Sequence, residues 1–175
     1  MIFVCVGSRG YQFNRLLQAL DALVEKGEVC EKIFAQTGNS DYKPLHYSYA
    51  RYLDEGEFRK YQDRADIIIS HGGTGALVSA LKKRKQVIAV PRMVEFGEHI
   101  DDHQQQVTEA LAKQGYLLEV RDMADLGKAI RRIQTSPINK YFDLPSHVID
   151  VIDSFIQNEI VRSRAALVDS CRDSS

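Results

Sequence analysis

Three short runs of the chain are apolar and β-prone without any alternation: "MIFVCV" at 1–6, "DIIIS" at 66–70 and "QVIAV" at 86–90. An alternating strand leaves one face to water, whereas a solid run must be covered on both faces. Strands of that kind belong to parallel sheets, whose crossovers are helices. The segments between the runs carry the helical signature. In 13–28, Phe13, Leu16, Leu17, Leu20, Leu23 and Val24 recur at helical spacing, with Gly27 at the end. Further strands are predicted at 30–38 and 116–120, and helices at 55–65, 76–84, 101–115 and 123–135. A long helix is predicted at 146–167, where Val148, Ile149, Ile152, Phe155, Ile156 and Ile160 form one stripe. The tyrosine-rich segment 39–53 is ambiguous, with room for a short strand in "HYSYARYL".

The pattern predicts an α/β domain, a Rossmann-like parallel sheet with helices on both faces. It is expected to occupy 1–144, followed by a C-terminal helix at 145–168 that docks on its own sheet or on a partner. The last residues, 169–175, read as a frayed tail.

Composition excludes some functions. The chain has 175 residues, enough for one well-formed core. Its 23 basic and 24 acidic residues leave a net charge of −1, which gives no general attraction to nucleic acid or to an anionic membrane. The one basic run is "KKRK" at 82–85. Cys5, Cys30 and Cys171 are odd in number and form no CxxC pair, so neither a disulfide framework nor a zinc site is indicated. The apolar start is too short for a membrane span and lacks the basic flank of a leader. A cytoplasmic protein is expected, with any membrane contact made through a partner.

In parallel sheets, ligands bind at the carboxyl ends of the strands. That rule gathers three loops: "GSRG" at 7–10, "HGGTG" at 71–75, and the stretch from Pro91 to Gln105. Two readings of the glycine loop are open. It is a tight strand-to-helix turn packed through its glycines, or a place where a phosphate meets bare backbone at a helix start. It lacks the Gly-Lys-Ser/Thr of a Walker loop and is not GxGxxG. No GxSxG elbow occurs, which removes a hydrolase reading of His-Gly-Gly. The third loop concentrates Glu95, Glu98, His99, Asp101, Asp102, His103, Gln104 and Gln105. His99 and His103 lie four apart with carboxylates between them, a spacing a metal can use. Helix capping by Asp101 or Asp102 accounts for the same residues, and no further ligand cluster exists elsewhere, so no metal is expected. Gln104 and Gln105 offer paired donors and acceptors that suit sugar hydroxyls.

Together, "ADIIISHGGTGALVSALKKRKQVIAVPR" and "GEHIDDHQQQ" resemble the donor-binding C-terminal domain of glycosyltransferase family 28, the GT-B group that includes MurG. "MIFVCVGSRGYQFNRLLQAL" and "FAQTGNSDYKP" bring the likeness closer to the PssE-type stand-alone subunits of bacterial exopolysaccharide and capsule synthesis. The resemblance runs from residue 1 to about residue 120 and implies the fold of the C-terminal half of a GT-B enzyme. It implies a UDP-sugar as donor substrate, with no cofactor and no strict need for metal. Gly7 and Ser8 are then expected near the diphosphate. His71, Gly72, Gly73, Thr74 and Gly75 are expected to hold diphosphate and ribose, and Gln104 and Gln105 the sugar. Ser79 stands where the family has an acidic ribose ligand, Arg84-Lys85-Gln86 where it has Gly-x-Pro, and Asn14 where Asp is common.

The resemblance further implies an inverting hexosyltransferase acting on a polyprenyl-pyrophosphate-linked acceptor in surface polysaccharide synthesis. A chain that starts inside its first donor-domain strand reads as half an enzyme. It is expected to work with a membrane-anchored, acceptor-binding subunit, peripheral to the inner membrane, and to leave the general base to that partner. Glu98, His99 and Asp102 are the candidates on this chain; capping or surface exposure is the plainer reading of the carboxylates, and solvent or a polar site that of the histidines. The alternative function is a non-catalytic nucleotide-sugar-binding or regulatory subunit. An epimerase fragment, the third possibility, lacks its second domain.

Overall fold

The solid apolar runs become the middle of one sheet. The computed structural model describes residues 1–8, 10–100 and 103–140, and for His103 the backbone alone. The expected C-terminal helix at 145–168 and the tail at 169–175 lie outside the described residues. The strands are β1 (Ile2–Cys5), β2 (Ile33–Gln36), β3 (Ser48–Ala50), β4 (Ile67–Ser70), β5 (Gln86–Ala89) and β6 (Leu118–Glu119). The helices are α1 (Asn14–Glu25), α2 (Glu55–Arg64), α3 (Thr74–Lys82), α4 (His103–Lys113) and α5 (Leu126–Thr135). All five strand pairings are parallel, in the order β3-β2-β1-β4-β5-β6. The chain builds outward from β1 to β3, then returns to lay β4 on the other side of β1, with Cys5 opposite both Gln36 and Ser70.

Both faces of the central strands are covered. On one face, Ile2, Val4, Val6, Ile69, Ile88 and Val90 pack with Leu16, Leu17 and Leu20 of α1 and with Ile130 and Ile133 of α5. On the other, Phe3 meets α2, edge-on to Phe58 at 5.3 Å and stacked on Tyr61 at 5.7 Å. Phe58 and Tyr61 are three apart, so one helical face presents both rings. α2 begins with a reciprocal cap, Asp54 accepting from the Glu57 N–H while Glu57 reaches back to the Asp54 N–H.

Three local differences from the sequence pattern have physical reasons. α3 starts at Thr74 rather than 76, with Gly73 as its N-cap, so Thr74 and Gly75 belong to the first helical turn. The helix predicted at 123–135 is divided. A 3₁₀ turn, Met123–Asp125, precedes α5 because the Asp122 side chain accepts the Ala124 N–H at 2.9 Å. The ambiguous 39–53 segment yields only the three residues of β3.

Side chains of α1 organise most of the rest of that segment. Asn14 Oδ1 accepts the Asp41 and Tyr42 N–H groups at 3.1 Å each. Asp21, 3% exposed, accepts from the Tyr42 hydroxyl at 2.6 Å, the Leu45 N–H at 2.9 Å and the His46 N–H at 2.8 Å. The Tyr47 hydroxyl donates to the Leu17 carbonyl at 2.9 Å. Burial works to raise the Asp21 pKa, but the three donors and nearby His46 outweigh it and hold the carboxyl below the usual carboxylate range. The same bond to Asp21, together with burial, pushes the Tyr42 hydroxyl up to about 12.

Two stability predictions follow from these contacts. A depressed folded pKa contributes stability above the unfolded value of about 3.9, and that contribution is lost as pH falls through the lower folded value. Asp21→Asn removes the charge and one of the two acceptor oxygens on which the Tyr42, Leu45 and His46 donors converge, and is expected to cost about 2 kcal/mol at neutral pH. Urea unfolding at pH 7 and near pH 3 is expected to show the variant losing less between the two than the wild type. The second concerns Arg84, which closes α3 in the left-handed region at φ 55°, its N–H on Leu81 and that of Lys85 on Ala80. Glycine adopts that conformation without the Cβ penalty. Arg84→Gly is expected to stabilise by about 1 kcal/mol in thermal denaturation; a loss would show that the side-chain contacts of Arg84 outweigh the strain.

Candidate functional site

Strand order reverses between β1 and β4, so the carboxyl ends of these strands flank a crevice. β1 runs into Gly7 at φ +83°, and β4 into His71 and then Gly72 at φ +84°. The His71 N–H donates to the Cys5 carbonyl at 3.2 Å, and ring Nδ1 lies 3.1 Å from the same oxygen. A carbonyl only accepts, so Nδ1 carries the proton and Nε2 is the acceptor of the neutral ring. The ring is flanked by two glycines. A Cβ on Gly7 would fall 2.6 Å from Nε2, and one on Gly73 2.5 Å from it. Gly72 is tight for another reason: its Cβ would meet Thr108 at 3.1 Å and Gln104 at 3.2 Å, where α4 packs down. Only Gly75 in this loop faces open space, with nothing within 4 Å of a Cβ. The two readings of the glycine loop therefore divide by residue. Gly72 and Gly73 serve packing; Gly75 leaves room.

The start of α3 is an electropositive end without a built-in cap. Gly73 has no side chain to offer, and the first turn contains no acidic residue. The helical ladder begins with the Leu77 N–H on the Gly73 carbonyl at 3.1 Å. The N–H groups of Thr74, Gly75 and Ala76 precede that ladder, and the helix dipole adds to their partial positive charge.

The loop after β5 closes the crevice on its other side. Arg92 is 1% exposed; its Nη2 donates to the Val6 carbonyl at 2.5 Å and to the Tyr11 carbonyl at 3.1 Å. Its backbone N–H donates to Gln104 Oε1 at 3.2 Å. Glu98 is fully buried, accepting from Arg15 Nε at 2.7 Å and from the Met93 N–H at 3.1 Å. Arg15 also donates to the Pro91 carbonyl at 2.8 Å. His99, 6% exposed, packs on Tyr11 with ring centroids 5.3 Å apart. This segment is inverted in polarity. Glu98 and His99 point inward, whereas Val94, Phe96 and Ile100 are 43%, 49% and 75% exposed.

The expectation for Glu98 needs correction here, and of the two readings of His99 only the polar site remains. Glu98 is not a surface or capping carboxylate, because Arg15 on α1 draws it inside, and both its oxygens are engaged. His99 is buried rather than facing solvent. Asp102 lies outside the described residues. Gly7, His71 and Gly73 are brought into contact, as are Gly72 and Gln104. Ser8 is exposed on the loop after β1, and Gln105 is half-buried on α4. Ser79 turns toward α2, donating its hydroxyl proton to Gln62 Oε1 at 3.0 Å, so only its lone pairs remain for a ligand. Among the described residues, no three of His, Cys, Asp and Glu gather as a metal-holding group. Sequence reasoning missed Arg15, Asp21 and Arg92. The signal for the first two was a charge set inside the apolar stripe of α1; for Arg92 it was a cation directly after an apolar strand and Pro91.

The sequence pattern of the glycosyltransferase family 28 C-terminal domain matches residues 1–145. The chain is similar to UDP-N-acetylglucosamine transferase subunit ALG13 of Candida albicans, with 30% identity over 80 residues, 46% of this chain and 24% of that one. It is similar to the UDP-N-acetylglucosamine--N-acetylmuramyl-(pentapeptide) pyrophosphoryl-undecaprenol N-acetylglucosamine transferase of Trichlorobacter lovleyi, with 31% identity over 123 residues, 65% of this chain and 31% of that one. It thus spans under a third of the length of either relative. Among solved structures, the ALG13 solution structure aligns with a TM-score of 0.55 at 18% identity, covering 85% of this chain and 91% of that one. MurG of Acinetobacter baumannii aligns with a TM-score of 0.56 at 18% identity, covering 75% of this chain and 40% of that one. The shared fold is that of the C-terminal half of GT-B enzymes.

Alanine at Gly73 and at Gly75, two positions apart, is expected to change stability with opposite signs. Gly73→Ala drives a methyl group into the His71 ring and is expected to lower stability by about 1–3 kcal/mol. Gly75→Ala meets nothing and improves helix propensity, so it is expected to raise stability by about 0.5 kcal/mol. Parallel thermal melts of the two variants test the assignment; equal losses would show that Gly75 is also a packing glycine.

Proposed function

Since the chain belongs to glycosyltransferase family 28, through that family's C-terminal domain, we propose that it binds a UDP-sugar in the crevice between β1 and β4. It serves as the donor half of an inverting glycosyltransferase. The observation that carries this reading is the uncapped, acid-free start of α3 beside the open space at Gly75. Backbone N–H groups and a helix dipole suit a diphosphate, and they are already oriented when its charge develops as leaving group. In this reading Gly7, Ser8, Thr74 and Gly75 face the diphosphate. The His71 ring lines the same region between Gly7 and Gly73. Gln104 and Gln105 face the sugar; the Gln104 amide oxygen already accepts the Arg92 N–H, so its NH₂ is the group offered to a hydroxyl. No cofactor enters, and fixed donors make a divalent ion dispensable.

The acceptor in this proposal is a polyprenyl-pyrophosphate-linked sugar of surface polysaccharide synthesis, held by a membrane-anchored second subunit that also brings the base. One observation supports a partner. The inverted loop exposes Val94, Phe96 and Ile100 beside the crevice, and a cluster of exposed apolar side chains marks a contact surface. Similarity to a transferase subunit and to a pyrophosphoryl-undecaprenol transferase supports both halves of the reading.

Calorimetry with UDP and UDP-N-acetylglucosamine tests the donor site. Wild type is expected to bind UDP, and Gly75→Ala to bind it about tenfold more weakly despite its higher melting temperature. No UDP binding by the folded chain would refute the site. Co-expression with a candidate acceptor-binding subunit tests the rest: Phe96→Ser with Ile100→Ser is expected to lower association while sparing UDP affinity. Donor binding without any transfer by the assembled pair would instead support the regulatory-subunit alternative.

A further inference from the structure

We propose that Arg92 is a positioning residue that aims the Gly7 N–H at the diphosphate. The inference rests on the donor-site reading above and adds a residue that neither the glycine loops nor the helix start contains. It begins from peptide geometry. No peptide bond among the described residues is cis. In a planar trans peptide the C=O and the following N–H point in opposite directions. The Val6 carbonyl is drawn inward by Arg92 Nη2 at 2.5 Å, so the N–H of the same peptide, that of Gly7, is turned the other way, out of the core. That N–H has no acceptor among the described residues, although the preceding one, of Val6, pairs with the Gln36 carbonyl at 3.2 Å. The sheet ladder stops at Val6, and the next donor is left over at the crevice.

Arg92 is built for this task. Its guanidinium bonds the carbonyls at both ends of the loop, Val6 and Tyr11, and so fixes a span that contains Gly7 and Ser8. Both bonds come from one nitrogen, Nη2, held in the plane of a rigid guanidinium, whereas a lysine ammonium swings on a flexible stem. The Phe13 ring lies 5.7 Å from the guanidinium carbon, limiting its swing. Its own backbone is held by Gln104, so the sugar-side helix and the diphosphate loop share one fixed point. A buried guanidinium is also less screened by water than a surface one, and its charge favours an anion on the outer side of the same peptide.

The test uses the full chain with UDP and uridine as probes, followed by ¹H–¹⁵N correlation spectra. In wild type, UDP is expected to shift the Gly7 amide together with those of Thr74 and Gly75, whereas uridine leaves Gly7 in place. Arg92→Met is expected to lose about tenfold in UDP affinity, the loss of one hydrogen bond to a charged group, with uridine affinity unchanged. Arg92→Lys is expected to recover part of the loss. A merely structural role would weaken both ligands alike. Two results overturn the proposal: a wild-type spectrum in which UDP moves Thr74 and Gly75 but not Gly7, or a folded Arg92→Met protein with an unchanged UDP-to-uridine affinity ratio. The first arm needs no variant, and Arg92→Lys supplies the ratio if Arg92→Met does not fold. Failure of wild type to bind UDP is a different outcome, and it removes the donor site together with this inference.

Discussion

The central strands are buried on both faces, and most of the remaining architecture answers to that constraint. β1 and β4 offer no exposed face on which polar groups could be placed. Chemistry near the middle of the sheet is confined to the strand ends, where the backbone leaves the ladder and has donors to spare. The topology then selects one place along that edge. Because β4 returns to the far side of β1, the loops after these two strands diverge and leave a crevice, and the loop after β5 closes it.

Charged groups inside the protein do their work on loops rather than on strands or helices. Asp21 collects three donors from the 42–46 stretch; Glu98 clamps the loop after β5 onto α1; Arg92 ties that loop to the one after β1. Burying a charge is costly unless it is hydrogen-bonded, and each of these meets at least two hydrogen-bond partners. What such contacts return is less net stability than a single loop conformation. A hydrophobic contact has no preferred direction, whereas a carboxylate or guanidinium binds only where donors or acceptors converge. In the proposed donor site the ligand is met by backbone N–H groups, so its binding would depend directly on loop conformation.

The inverted segment after β5 shows what that rigidity permits. With Glu98 and His99 committed inward, the apolar side chains of Val94, Phe96 and Ile100 remain outside, against the usual gain from burying them. A loop free to relax would bury Phe96 and expose Glu98. The ion pair with Arg15 holds Glu98 inward and so opposes that exchange.

The sequence by itself determined the class of fold, and it pointed to the edge of the sheet at which the proposed donor site lies. Solid runs at 1–6, 66–70 and 86–90 require cover on both faces, and helical spacing between them supplies it. The family motifs sit in the loops that such a topology brings together. Tertiary structure decided which residues of those motifs are available. Three glycines after β4 read alike in the sequence, yet Gly73 is set by the His71 ring, Gly72 by α4, and Gly75 by open space. Glycine in a sequence states that a side chain is missing without saying what takes its place. Glu98 and Arg15 are 83 positions apart, and Arg92 and Val6 are 86 apart, so no local pattern announces that these charges are buried. Periodicity is a property of neighbours along the chain; burial of a charge depends on partners that only the folded chain assembles.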